Sequence, residues 1–463
     1  MDAGFVKAES TNLPRIDALM VGEFVALNPD FCSAEQRNDK ASINADTFTY
    51  ESNPSVALFQ KYIQINTTTY NNLGPAVSFW KNLAAEQGLK LKKYVYVKGM
   101  PVLVIKWPGS DPTLSSIMLN SHMDVVPAAV EDGWSFSPFS GQISDGKVYG
   151  RGTQDMKSVS IQYYEALRRM KEKNISLLRN VYMTLMPDEE VGAEAGMLKF
   201  LQSEEFQAMN VGIELDEGGP VNAPMLPVFY QDKVVWQLRV DCHGTAGHGS
   251  SFPLTNSTAV GKCHNVATNM LQWRDEQYSI YTKAPITDSG VYTSVNLNRL
   301  SGGTANNVVP NVVSLTFDIR PNTGVKESDL QQKLENLIYS AGDNITITYI
   351  SRNPQSPATM ANSTNPYWKA ITEAAKDMGI PVLAAVPPGS TDARHVRLAG
   401  VPAFGLSPQM NTPNLLHGVN ENLGINTFLD GINFYEKVIY NMANIPADQA
   451  SANPTAYLYV TTN

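Results

Sequence analysis

Cysteine is scarce in this chain. Cys32, Cys242 and Cys263 are all that 463 residues contain, and no two of them form a Cys-x-x-Cys pair. That excludes a thiolate metal centre and an even disulfide framework, and it leaves the cysteines to be expected as free thiols of a reducing, cytoplasmic setting. Any metal site must then be built from histidine and carboxylate. Long apolar runs are missing too, since none approaches the 18 residues of a membrane span. The start, Met1-Asp2-Ala3-Gly4, has neither the basic nor the apolar stretch of a signal peptide. Five Asn-x-Ser/Thr sequons, at Asn66, Asn174, Asn256, Asn344 and Asn362, are near chance for so Asn- and Thr-rich a sequence and do not point to secretion. Positive charge is in deficit. With 17% charged residues and a net charge of -9, the chain lacks the clustered Lys and Arg that nucleic acid or an anionic membrane rewards.

What is present describes a globular protein, with 43% hydrophobic residues and enough length for two domains or one domain with a large insertion. Residues 1–51 show no sustained periodicity and read as an extension of unknown role. Asn53-Pro54-Ser55 then has the form of a helix start, and a second helix is expected from Pro75 to Gly88. Residues 91–97 and 101–106 read as paired strands around Lys98-Gly99.

The chemistry gathers at strand ends. The apolar run 181–185 leads into Met186-Pro187-Asp188-Glu189-Glu190, which an open α/β sheet would deliver to its carboxyl edge, where such sheets place their ligands. Successive side chains on extended backbone leave in different directions, so Glu189 and Glu190 cannot share one job. One can bind a metal while the other holds a water. Alone, the triplet would read as a solvated acidic turn, but other strands end the same way. Residues 115–120 form a buried strand ending in Ser121-His122-Met123-Asp124-Val125-Val126-Pro127. A single His after a strand is more often a satisfied core residue. An Asp at i+2 points the same way, however, and can accept the spare N–H of a metal-bound imidazole. Asp155 opens a helix whose apolar stripe is Met156, Val159, Tyr163, Leu167 and Met170, and it could equally be an N-cap. Residues 211–215 run into Asp216-Glu217-Gly218-Gly219, a third strand ending in acids.

From Val234 the pattern changes to alternation, with Val234, Trp236, Leu238 and Val240 on one face. Strands at 292–300, 312–320 and 345–350, with helices ending near Gln272 and spanning 329–340, complete a βαββαβ unit. This ferredoxin-like split βαβ order is self-sufficient enough to be an inserted domain over residues 235–350. The flanking segments 52–234 and 351–448 then form one catalytic domain, followed by a polar tail at 449–463.

With these motifs assembled, the chain resembles the aminoacylases, zinc-dependent N-acyl-L-amino-acid amidohydrolases of the co-catalytic zinc exopeptidase superfamily. That superfamily also holds acetylornithine deacetylase and carnosinase. The likeness covers roughly residues 52–448 and rests on Ser121 to Pro127, Arg151-Gly152-Thr153-Gln154-Asp155-Met156-Lys157, Pro187 to Gly192, Leu215-Asp216-Glu217-Gly218 and Leu416-His417. Thr293-Ser294-Val295-Asn296-Leu297 points to aminoacylase in particular. The resemblance implies a three-layer α/β catalytic domain with an inserted α+β dimerisation or lid domain. It also implies two zinc ions per chain, bridged by Asp155, with His122 and Glu217 completing one site and Glu190 and His417 the other. Glu189 is implied as the general base and Asp124 as the partner of His122. His248 would reach the active site of a second subunit in a homodimer, and Asn307, Arg320 and the turn Gly389-Ser390-Thr391 would hold substrate. The sequence departs from the family at residues 1–51, which have no counterpart, and at Leu415 to Asn420, which replaces a more acidic, His-rich continuation.

In this reading a metal-activated water attacks the amide, Glu189 carries its proton to the leaving amine, and Arg320 gives the α-carboxylate a bidentate partner. A dipeptidase or carboxypeptidase on the same scaffold, or a catalytically silent binding protein, are the competing readings. The silent form would have no reason to retain every ligand and the base.

Overall fold

The computed structural model describes residues 53–285 and 288–459, all within the compact unit Thr49–Asn463. The expected extension at 1–51 lies outside the described residues. Two sheets organise the unit. The first is built from β1 (Leu91–Val97), β2 (Met100–Trp107), β3 (Ser116–His122), β4 (Val181–Met186), β5 (Val211–Asp216) and β6 (Leu226–Phe229). The second contains β7 (Trp236–His243), β8 (Ser294–Gly302), β9 (Val312–Arg320) and β10 (Ile345–Arg352). β11 (Val382–Ala385) and β12 (Ala403–Gly405) return to the first, whose order is β1-β2-β4-β3-β5-β12-β6-β11. At its centre β4, β3, β5 and β12 run parallel, so their carboxyl ends lie side by side. All residues of β3, β4 and β5 are buried, as expected of strands covered on both faces.

Alternation along these strands feeds two apolar layers. Leu103, Ile105, Ile117, Leu119, Met183, Leu185, Ile213 and Leu215 pack with helices α1 (Pro54–Ile63), α2 (Gly74–Glu86) and α3 (Lys157–Glu172). Val102, Val104, Met118, Tyr182 and Met186 pack on the opposite side against Met197, Phe200 and Val396. The result is the three-layer α/β arrangement. Helix starts follow local chemistry: the Asn53 side chain accepts from Ser55 N–H at 3.0 Å, with Pro54 in the first turn.

The second sheet has the order β8-β9-β7-β10 and is antiparallel throughout. Helices α4 (Ala259–Tyr281) and α5 (Glu327–Tyr339) cover it, and its core of Trp236, Leu238, Val240, Phe317, Ile319 and Leu334 is separate from the first. The chain then returns through α6 (Pro366–Asp377), α7 (Ala393–Leu398) and α8 (Ile425–Ala443) to the catalytic sheet.

Two expectations need correction. Cys242 and Cys263 are joined as a disulfide with Cα atoms 5.6 Å apart, because β7 and the first turns of α4 pack together although 21 positions separate the cysteines. Reading only short Cys spacings missed a tertiary pairing, and the cysteine argument for a reducing, cytoplasmic setting falls with it. The expected polar tail also folds back: Met360 N–H donates to Tyr457 O and Tyr459 N–H to Ala358 O, both at 2.8 Å, with Tyr457 and Leu458 buried. No helix among the described residues is long and apolar enough to cross a membrane.

One core residue breaks the apolar pattern. Glu214 stands in β5 between Met118 of β3 and Ala403 of β12, and neither of its carboxylate oxygens has a partner among the described residues. Burial, then the charges of Asp216 and Asp392, push its carboxyl well above the usual range. Such an acid costs little below its unfolded pKa of about 4.3. Above that value the unfolded chain ionises while the folded one resists, so stability is lost as pH rises towards the folded pKa. Glu214→Met should therefore raise Tm, and by more at pH 8 than at pH 5. Equal shifts at the two pH values would count against this account.

Candidate metal centre and active site

Three parallel strands set the floor of the site. β3 ends at His122, β4 delivers Asp188-Glu189-Glu190 just past its last residue, and β5 delivers Glu217. Asp155 comes from the loop before α3, and His417 from the loop before α8. The geometry centres on Asp155. Its Oδ1 lies 2.9 Å from His122 Nε2 and its Oδ2 3.2 Å from His417 Nε2, so one carboxylate faces two imidazoles. Glu217 is 3.6 Å from His122 Nε2, and Glu190 is 3.1 Å from His417 Nε2. Ligand atoms of His122, Asp155 and Glu190, and of His122, Glu189 and Glu217, fall within 4.8 Å of one another. His417 sits in the left-handed backbone region at φ 60°, a conformation a side chain adopts at a cost and that often accompanies function.

The electrostatics suit a dication. Burial, then Glu217, pushes Glu189 well above the carboxylate range, and burial likewise raises Glu190 and Glu217. Burial alone would pull His122 down, yet Glu217, Asp124 and Asp155 hold it well above its usual value. Hydrogen bonds to Asp155 and Glu190 push His417 up to about 10. Asp155, Glu189, Glu190 and Glu217 thus outnumber the imidazoles around them. Glu190 Oε1 is buried without a hydrogen-bond partner among the described residues. Oxygen and imidazole donors with an orphaned, buried carboxylate oxygen fit a divalent metal such as zinc.

Asp124 differs from its expected geometry. His122 Nδ1 hydrogen-bonds the backbone carbonyl of Asp124 at 2.8 Å, while the carboxylate stands 3.5 Å away. That carboxylate instead accepts Glu189 N–H at 3.1 Å, Glu190 N–H at 3.3 Å and Thr69 Oγ1 at 3.0 Å. It fixes the turn that splits the two glutamates. Asp188 is structural, accepting from Ala195 N–H and Gly196 N–H.

The remaining candidates make other contacts. His248 is exposed on the short strand Gly247–His248, which pairs with Val308–Val309, and its Nδ1 meets Ser250 Oγ at 2.7 Å. Among the described residues, no hydrogen bond or ion pair joins His248 to the metal cluster. Asn307 immediately precedes the paired strand Val308–Val309, and its carbonyl accepts Gly249 N–H at 2.6 Å. Arg320, at the end of β9, holds Asp318 through Nε at 2.8 Å. Gly389-Ser390-Thr391 leads into α7, and the Gly389 carbonyl accepts Lys233 N–H at 3.2 Å. Sequence reading missed Arg151 and Glu421, a buried pair reaching both metal-ligand loops; the only signal for Arg151 was the glycines flanking it, and Glu421 had none beyond its nearness to His417.

An α/β sheet whose central strand ends gather acids and imidazoles around one bridging carboxylate has the make-up of a metallohydrolase. The chain belongs to the peptidase family M20/M25/M40, whose family model matches residues 118–441. Its similarity to aminoacylase-1 is close to full length. It is 41% identical to aminoacylase-1 of Sus scrofa over 396 residues, 85% of this chain and 96% of that one. For aminoacylase-1 of Homo sapiens the identity is 39% over 399 residues, 86% of this chain and 97% of that one. A solved M20 metallo-carboxypeptidase from Sulfolobus solfataricus shares the fold, with a TM-score of 0.66 and 17% identity over 85% of this chain and 100% of that one.

The two glutamates should fail differently on substitution. Glu189→Gln should keep its metal and lose kcat by ~10²–10⁴, as removal of a general base does. Glu190→Gln should lose metal, measured by elemental analysis after gel filtration. Equal metal loss in both would reverse the assignment.

Proposed function

We propose that this chain hydrolyses the amide bond of N-acyl-L-amino acids, releasing a carboxylate and a free L-amino acid, with two zinc ions per chain. The observation that carries the reading is Asp155, whose two oxygens face two different imidazoles. Near full-length likeness to proteins named aminoacylase-1 supports the substrate class. His122 and Glu217 would hold one ion, Glu190 and His417 the other, and Asp155 would serve both. When bound, the pair supplies Lewis acidity to the acyl carbonyl and lowers the pKa of the attacking water.

The chain's own groups do the rest. Glu189 takes the water's proton and passes it to the departing amine. Asp124 keeps Glu189 aimed by holding its N–H. Arg320 spends Nε and Nη2 on Asp318, which leaves Nη1 for the free α-carboxylate of the substrate. The Gly389-Ser390-Thr391 turn and Asn307 complete the substrate's surroundings. His248, exposed and with no hydrogen bond or ion pair to its own chain's cluster among the described residues, serves the site of a twofold mate in a homodimer, where it donates to the developing oxyanion.

Turnover of N-acetyl-methionine should far exceed that of a dipeptide such as Ala-Met, and a chelator should abolish it. Preferential dipeptide cleavage would put the chain among the peptidases instead. For the shared site, inactive Glu189→Ala and inactive His248→Ala are mixed under conditions that exchange subunits. A heterodimer carries both lesions in one site and neither in the other, so about a quarter of wild-type activity should return. Demonstrated exchange without recovered activity would place His248 within its own chain's chemistry or outside it altogether.

A further inference from the structure

The two metal-ligand loops that do not come from strand ends need another source of rigidity. His122 is anchored by β3 and by the carbonyl of Asp124, but Asp155 and His417 lie on loops brought together from distant parts of the sequence. Between them stands Glu421, fully buried, whose Oε1 accepts Gln154 N–H at 2.7 Å and Asp155 N–H at 3.4 Å. Its Oε2 accepts Arg151 Nη1 at 2.6 Å, across 270 positions of sequence. The same guanidinium donates through Nη2 to the carbonyl of His417 at 3.1 Å and lies over the Trp134 ring. Gln154 closes the seam, donating to Pro413 O and Asn422 O and accepting Leu415 N–H. One buried ion pair therefore holds the peptide N–H of the bridging aspartate and the peptide carbonyl of the exposed histidine.

We propose that Glu421, acting through Arg151, is the positioning residue of the metal site formed by Asp155, Glu190 and His417, and that the site containing His122 and Glu217, although it shares Asp155, keeps its affinity without Glu421 because its other two ligands are seated at the ends of β3 and β5. The proposal rests on the two-metal reading above and divides the two ions by what holds their ligands. Groups that orient ligands from behind are typically worth 10–100-fold in metal affinity. With both carboxylate oxygens and both terminal guanidinium nitrogens bonded, and only Arg151 Nε without a partner among the described residues, this is a buried pair in which removing one member strands the other. Glu421→Gln preserves shape and an acceptor for Gln154 N–H while withdrawing the charge that aims Arg151. Arg151→Lys keeps the charge but loses the fork that reaches Glu421 and His417 together.

The test is titration of the purified full-length protein with Zn2+ against a chromogenic chelator, repeated with Co2+ and its visible absorption spectrum. Wild type should take up two ions. In Glu421→Gln one ion should bind with wild-type affinity and the other 10–100-fold more weakly, with kcat recovering as free Zn2+ is raised and KM little changed. Arg151→Lys should show the same split. Two undisturbed affinities, or equal losses at both sites, in variants whose circular dichroism matches wild type would overturn the positioning role. If both variants fail to fold, the pair is a general structural lock and the proposal falls. Fewer than two ions in wild type would instead bring down the two-metal reading, and this proposal with it.

Discussion

Negative charge gathered in a place that water hardly reaches is the constraint to which the fold answers. Coulomb repulsion among Asp155, Glu189, Glu190 and Glu217 grows as the surrounding dielectric falls, and a folded chain tolerates such a group only if every acid is held and some cation is welcome. The parallel strands β4, β3 and β5 do the holding. Their buried, regular backbones bring three acid-bearing ends to one edge, and the hydrogen bonds of Asp124 and Asp188 keep the turn between Glu189 and Glu190 from relaxing apart. The two flanking apolar layers give the edge a rigid foundation.

Much of this could be read from the residues. Strands β3, β4 and β5 are short, mostly apolar runs, and each stops at chemistry that a solvated turn does not need. The βαββαβ order of the second sheet followed from a switch of period at Val234. β6, β11 and β12 escaped notice because Leu226-Pro227-Val228-Phe229, Val382 to Ala385 and Ala403 to Gly405 are short, with proline, alanine or glycine in place of β-branched runs. They are strands only because neighbouring strands offer them hydrogen bonds. The disulfide and the Arg151–Glu421 pair were hidden for the same reason, since each joins residues that only the tertiary fold makes neighbours. The acceptor for His122 Nδ1 was misassigned because i to i+2 spacing fixes the side of the strand, not which oxygen of Asp124 turns towards the ring.

The second sheet is joined to the catalytic sheet by two crossings of the chain, and both are stitched. Trp236 Nε1 donates to Asn353 O at 3.0 Å, Asn353 N–H donates to Val235 O at 3.1 Å, and Arg352 lies over the Trp236 ring. Beside them Lys233, buried and pulled down to about 7 by desolvation and Arg320, gives its ammonium to Tyr292 O and its amide to Gly389 O. A third strap links Ser289 Oγ to Val386 O at 2.7 Å. Movement of the inserted unit would thus act on the Gly389-Ser390-Thr391 turn, and that turn and the insert are mechanically one.

The Cys242–Cys263 bond has a consequence for that insert. The loop bearing His248 starts one residue after the first cysteine's strand ends and returns to α4 just before the second, so the crosslinked stretch is a closed ring of chain. Closing a ring of this size removes about 3 kcal/mol of freedom from the unfolded chain on the chain-entropy account. The ring's far side is tied as well, since Gly247 and His248 pair with Val309 and Val308 outside it. An arm held at root and tip keeps a constant bearing.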